Sequence, residues 1–225
     1  MVTETESMQP SLPEHTARTL ALWEIVSVAT SCLIAEWVVL SFVGRSKLII
    51  AIPILLAFGL MAFSHVERGE TLNDIGFRLD NFVASCRLLL LPTVVAVLLV
   101  VAAGWFMGHA IFAGHIGSRH LSLPLWALLQ QYALNGFINR RAQLALGKGM
   151  KSVILVAVVF ALLHLPNPLL AAVTLIGGMI WAAVYQRQPN LFALALSHAL
   201  VSITLAMTIS PNLFNSLRVG FKYFG

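Results

Sequence analysis

The chain has 225 residues, 59% hydrophobic and only 10% charged, with a mean hydropathy of +0.87. A usual soluble domain carries roughly 25% charged residues, so a soluble enzyme is excluded and a bilayer is the expected solvent. The net charge of +5 divides at Asp80: 5 Lys/Arg and all 9 acidic residues stand up to that point, and 9 Lys/Arg with no acid beyond it. These cations lie at the ends of hydrophobic runs, where they anchor to headgroups and set orientation, so nucleic acid is not an expected partner.

In chain order, residues 1–19 form an acidic, polar tail with no basic n-region, which does not read as a cleaved signal peptide. Residues 20–210 read as one bundle, with spans expected at about 20–43, 47–65, 86–107, 122–142, 151–165, 168–186 and 190–210. The fold class is therefore an all-α polytopic membrane bundle of about seven helices. Between the second and third spans, ERGETLNDIGFRLDNF mixes charge with Ile75, Phe77, Leu79 and Phe82, the pattern of an amphipathic segment lying in the interface. Residues 211–225 have the aromatic and basic character of an interfacial tail. Cys32 and Cys86 form no spaced motif and read as packing residues.

A cytoplasmic N-terminus would put Arg18, Arg68, Arg78, Arg87, Arg140, Arg141, Lys148, Lys151 and Arg187 on the inner side. Arg45, Lys47, Arg119, Arg218 and Lys222 would then lie on the outer side. The positive-inside rule favours that orientation. The expected location is a bacterial inner membrane, with lipid as the first partner.

Several polar residues interrupt the apolar runs. In LLQQYALNGF, Gln131 and Asn135 align with Asn139 at i, i+4 and i+8, a stripe that must face the bundle, with Gln130 beside it. FALLHLPNP places His164 at the end of the fifth span, closed at once by Pro166 and Pro168. ALSHALVS places His198 and Ser202 on one face of the seventh. A single intramembrane histidine is more often an interhelical hydrogen-bonder than a catalyst. Side chains from three helices able to meet in one cavity are more specific.

The stretches QQYALN, FALLH and HALVS, in that order, resemble the motifs of the CPBP family of intramembrane proteases. That family includes type II CAAX prenyl endopeptidases and bacteriocin-immunity proteins. Its motifs are Glu-Glu-x-x-x-Arg, Phe-x-x-x-His and a later His-x-x-x-Asn/Asp. The resemblance covers about 121–210, and NDIGFRLDNF is similar to a linker found before the third span. It implies that the first glutamate and the first histidine activate a water against a peptide carbonyl, while the other polar residues stabilise the oxyanion. Carried over, Gln130 and Gln131 stand for the glutamates, Asn135 for the arginine, His164 and His198 for the histidines and Ser202 for the Asn/Asp. Only the Phe160 to His164 motif is intact.

An amide cannot take a proton near neutral pH, so Gln130 cannot act as a general base. Glu, Glu and Arg are replaced as a set, which removes both signs of charge and keeps polarity. Glu24 and Glu36 are the acids within a predicted span, about 120° apart around a helix and so not a catalytic pair. The bland expectation for Glu36 is pairing with a buried His or Arg, or a neutral state. His109, His115 and His120 share a loop, and His164 and His198 could offer two imidazoles. Their spacings match no zinc signature, so no metal or other cofactor is expected. Three readings remain. One is a silent or altered protease homologue that binds a hydrophobic or lipidated peptide or another membrane protein. The others are an active endopeptidase with His164 as base and a small transporter component.

Overall fold

The computed structural model describes residues 13–39, 41, 47–108, 118–210 and 213–225, with the backbone alone for 47–51 and 118–120. The histidine loop expected to hold His109 and His115, and the His120 side chain, lie outside the described residues. Helix α1 (Glu14–Ile34) runs on through a π turn, Ala35–Val39, and is followed by α2 (Lys47–Glu67), α3 (Leu72–Ile75) and α4 (Phe82–Phe106). Helix α5 (Ser118–Gln131), a π segment (Tyr132–Asn139) and α6 (Arg140–Leu146) make one continuous rod. Then come α7 (Met150–Leu162), α8 (Pro168–Arg187), α9 (Leu191–Thr208) and two 3₁₀ turns, Asn215–Leu217 and Gly220–Phe224. No strand occurs among the described residues.

Each of the seven expected spans coincides with a helix. Glu14–Val39, Phe82–Phe106, Pro168–Arg187 and Leu191–Thr208 are long and apolar enough to cross a bilayer. Helix α7 is shorter because the chain turns at Pro166 and Asn167: the Asn167 carboxamide caps α8 by accepting from the Leu170 amide at 3.2 Å, with Pro168 in its first turn. The outward faces of α2 and α4 carry Leu55, Leu56, Leu90, Leu91, Leu98 and Leu99 in exposed positions, an apolar surface suited to lipid. The core is packed by Leu134, Phe137, Val156, Phe160, Trp181, Tyr185 and Leu194. Cys32 and Cys86 are free thiols packed at its edge.

Antiparallel succession gives the bundle two distinct ends. One collects the start of α1, the end of α2, the 69–81 linker and α6. Here Arg141 has no exposed surface and pairs with Glu70 at 2.8 Å and Glu24 at 3.0 Å. Arg140 and His65 also hold Glu70, and Arg68 holds Glu24. Three of the arginines counted as interfacial cations thus belong to an ion-pair network, because a buried guanidinium needs carboxylates around it.

The 69–81 linker, expected as an amphipathic segment, is largely non-helical and tied to the bundle. Only Leu72–Ile75 is helical, started by a Thr71–Asp74 capping box and stopped by Gly76 at φ 105°. Tyr185 Oη donates to the Ile75 carbonyl at 2.6 Å, and the Leu191 amide donates to the Gly76 carbonyl at 2.8 Å. A side chain at Gly76 would also press on the Tyr185 ring. These tertiary hydrogen bonds fasten the linker across the ends of α8 and α9.

The opposite end holds the π turn of α1, the α7–α8 turn and the C-terminal segment. Phe214 is buried against Leu170, Leu205 and Ile209. Asn167 Nδ2 donates to the Phe214 carbonyl at 2.7 Å, and the Gly220 amide to the Leu165 carbonyl at 2.9 Å.

Candidate active-site cavity

A cavity of about 720 Å³ opens among the described helices near this second end. Gln130, His164, His198 and Ser202 all line it. Gln131 and Asn135 lie behind its wall, wholly buried. The motif side chains come from α5 and its π segment, from the turn that closes α7, and from α9, in the order of the sequence. Helices α1, α2, α8 and the C-terminal turns complete the wall, which the motifs do not announce. Leu163, Trp126, Val201 and Phe58 make most of that wall apolar in character. Helix α2 packs on α1 and on the π segment, and α2 and α5 both line the cavity.

The amides behind the wall form one directed chain. Asn139 Nδ2 donates to the Ala182 carbonyl at 3.1 Å and to Asn135 Oδ1 at 2.8 Å. Asn135 Nδ2 donates to Gln131 Oε1 at 2.6 Å, which leaves Gln131 Nε2 facing His198 Nδ1 at 3.1 Å. A backbone carbonyl only accepts, so Ala182 fixes the orientation of Asn139 and, through it, of Asn135 and Gln131. His198 Nδ1 must therefore accept, and its proton resides on Nε2. On the far side, Asn139 Oδ1 accepts from Gln186 Nε2 at 3.0 Å, and Gln186 also donates to Ser152 Oγ at 2.9 Å. The stripe is thus satisfied without water, which explains how amides persist in an apolar helix.

His164 is the opposite tautomer. Its Nδ1 lies 2.7 Å from the Phe160 carbonyl and must donate, so Nε2 carries a lone pair. The Phe160 ring stands edge-on to both imidazoles, with centroids 4.6 Å from His164 and 5.9 Å from His198. Trp181 stacks on His198 at 4.4 Å. The two histidines are therefore held by aromatic packing as well as hydrogen bonds, one as acceptor and one as donor.

Sequence reasoning missed Ser152, Gln186 and the Ala182 carbonyl, the far half of the amide chain. Gln186, an uncharged polar residue in WAAVYQR one residue from the end of an apolar helix, was the available signal. Glu36 also lines the cavity, and the expected pairing with a buried His or Arg is not found among the described residues. Among the described residues no three His, Cys, Asp or Glu side chains come together as a metal site.

A model of the family described as type II CAAX prenyl endopeptidase Rce1-like matches residues 18–204. No curated protein and no solved structure matches the chain.

Proposed function

We propose, for a chain that belongs to the Rce1-like type II CAAX prenyl endopeptidase family, a peptidase homologue of altered chemistry. Its cavity receives a hydrophobic or lipidated peptide, and hydrolysis there proceeds without the paired motif glutamates. The observation that carries this reading is the opposite tautomers of the two histidines, set at His198 by a complete amide chain and at His164 by the Phe160 carbonyl. Decay of a site would leave unpaired polar atoms, whereas here every amide from Asn139 to Gln131 has a partner.

Each replacement has a chemical consequence. A glutamate at position 131 would accept a hydrogen bond from His198 Nδ1–H and leave Nε2 bare. Glutamine donates instead and turns the Nε2 N–H toward a reacting carbonyl oxygen, an oxyanion donor of the kind worth roughly 10²–10³ in rate. His164 Nε2 accepts a hydrogen bond from water and orients it. The apolar walls suit a prenyl or acyl chain. The reading needs no metal or other cofactor. The membrane is a bacterial inner membrane with the N-terminus cytoplasmic, which places the cavity end toward the outer face. A transporter pathway is disfavoured because the polar stripe is dry and internally paired.

The test is to reconstitute the protein in nanodiscs and measure binding and hydrolysis of a farnesylated peptide. His164→Ala should keep binding and lose turnover. The triple variant Gln130→Glu, Gln131→Glu, Asn135→Arg should be slower than wild type because it reverses the His198 tautomer. A triple variant tenfold faster than wild type would instead identify a silenced glutamate site.

A further inference from the structure

A hydrolytic site without its motif carboxylates still needs a group to take a proton from water. Glu36 is the one acidic side chain among the described cavity-lining residues, set in the π turn that ends α1. Single π turns are frequent at functional sites because the widened backbone re-aims a side chain. The acids of α1 itself are committed at the opposite end of the bundle, Glu14 to Arg18 and Glu24 to Arg68 and Arg141. Glu36 differs: its Oε2 is buried and has no hydrogen-bond partner among the described residues. A buried carboxylate oxygen left unpaired costs free energy, and structural roles seldom retain one.

The C-terminal turn ties Glu36 to the histidine side of the cavity. Gly220 packs so closely on Glu36 that a Cβ there would lie 2.7 Å from the Glu36 carbonyl oxygen and 2.8 Å from its Cβ. The same Gly220 donates its amide to the carbonyl of Leu165, the residue after His164, at 2.9 Å. Only glycine meets both demands, since its φ is +55°. One residue therefore holds the Glu36 turn and the His164 turn side by side at the cavity.

We propose that Glu36 is the proton acceptor of this site, replacing the absent motif glutamate from a different helix. The inference rests on the peptidase reading above. The Glu36 carboxylate takes one proton from a water that His164 Nε2 orients, as the water oxygen bonds to the scissile carbonyl carbon. The carbonyl π electrons move to its oxygen, which the His198 Nε2 N–H stabilises. When the tetrahedral species collapses, the C–N bond breaks and Glu36 returns the proton to the leaving nitrogen. The products are an acid and an amine, and the carboxylate is regenerated.

The experiment measures binding and turnover of the same farnesylated peptide by wild type, Glu36→Gln and Glu36→Asp in nanodiscs. Glu36→Gln should lower kcat by roughly 10²–10⁴ with KM and binding within about threefold, the range lost with a general base. Glu36→Asp, a shortened carboxylate, should fall between the two. A Glu36→Gln variant that turns over at the wild-type rate overturns the assignment and leaves the peptidase reading standing. Wild type that binds without cleaving overturns Glu36 and leaves only the binding cavity. Wild type that neither binds nor cleaves overturns both readings. A Glu36→Gln variant that loses binding in proportion to turnover would make Glu36 a wall residue, which also overturns the proposal.

Discussion

Replacing Asn139 with leucine, a side chain of similar size, removes the link between the Ala182 carbonyl and the amides of the cavity wall. Asn135 Oδ1 then loses its donor at 2.8 Å inside a region with no exposed surface. Gln186 keeps Ser152 but its second N–H loses Asn139 Oδ1, as does Gln143, so the orphaned Asn135 acceptor sets a cost of at least about 1–3 kcal/mol. That corresponds to a factor of roughly 5 to 150 in the folding equilibrium. The second consequence is chemical. Without the carbonyl anchor, the Asn135 and Gln131 amides are free to rotate, and His198 is released from the Nε2–H tautomer. The assay pairs reversible unfolding in mixed micelles with ring-nitrogen NMR of labelled histidine. Wild type should show His198 protonated on Nε2 and His164 on Nδ1, and Asn139→Leu should show a mixed His198 population. A cost under about 0.5 kcal/mol together with an unchanged His198 signal would refute the directed amide chain.

Further tests address the two ends of the bundle. Glu70→Gln removes the carboxylate shared by Arg140, Arg141 and His65 and should cost toward the lower end of roughly 3–5 kcal/mol, because Glu24 still pairs with Arg141. Burial alone would raise the Glu70 carboxyl, but hydrogen bonds from His65, Arg141 and Arg140 outweigh it and hold it well below the usual carboxylate range. An unfolded glutamate titrates near about 4.3, so this stabilisation is complete above that pH and is lost as pH falls toward the folded value. Acid unfolding that is identical in Glu70→Gln and wild type would contradict this. Gly220→Ala, at φ +55° and against Glu36, should cost at least about 1–2 kcal/mol and reduce turnover more than peptide binding. A reporter fused after Met150 should read as cytoplasmic, and an outer-side signal would reverse the orientation.

The division between what was readable and what was not follows the range of the forces. Helices appear where apolar runs are long, and the Gln131, Asn135, Asn139 stripe faces inward because lipid offers no partner. The three motif segments meet because each carries a polar residue the bilayer rejects. The fastening of the 69–81 linker was not legible because the hydrogen bonds that hold it come from Tyr185, Asn190 and Leu191, more than 100 residues away in sequence. Arg140 and Arg141 read as headgroup anchors, since their carboxylate partners lie about 70 or more residues upstream. The π turns carry no composition signal, so the cavity-facing placement of Glu36 was not legible.

The central claim is that this cavity holds a hydrophobic or lipidated peptide beside the two histidines. The most direct measurement is photocrosslinking of a peptide carrying a reactive prenyl analogue to the protein in nanodiscs, with the labelled residues read by mass spectrometry. The account expects label on cavity residues such as Trp126, Leu163 and Val201, competed by unlabelled farnesylated peptide. Label confined to the lipid-facing leucines of α2 and α4, or label that no peptide competes, would contradict it.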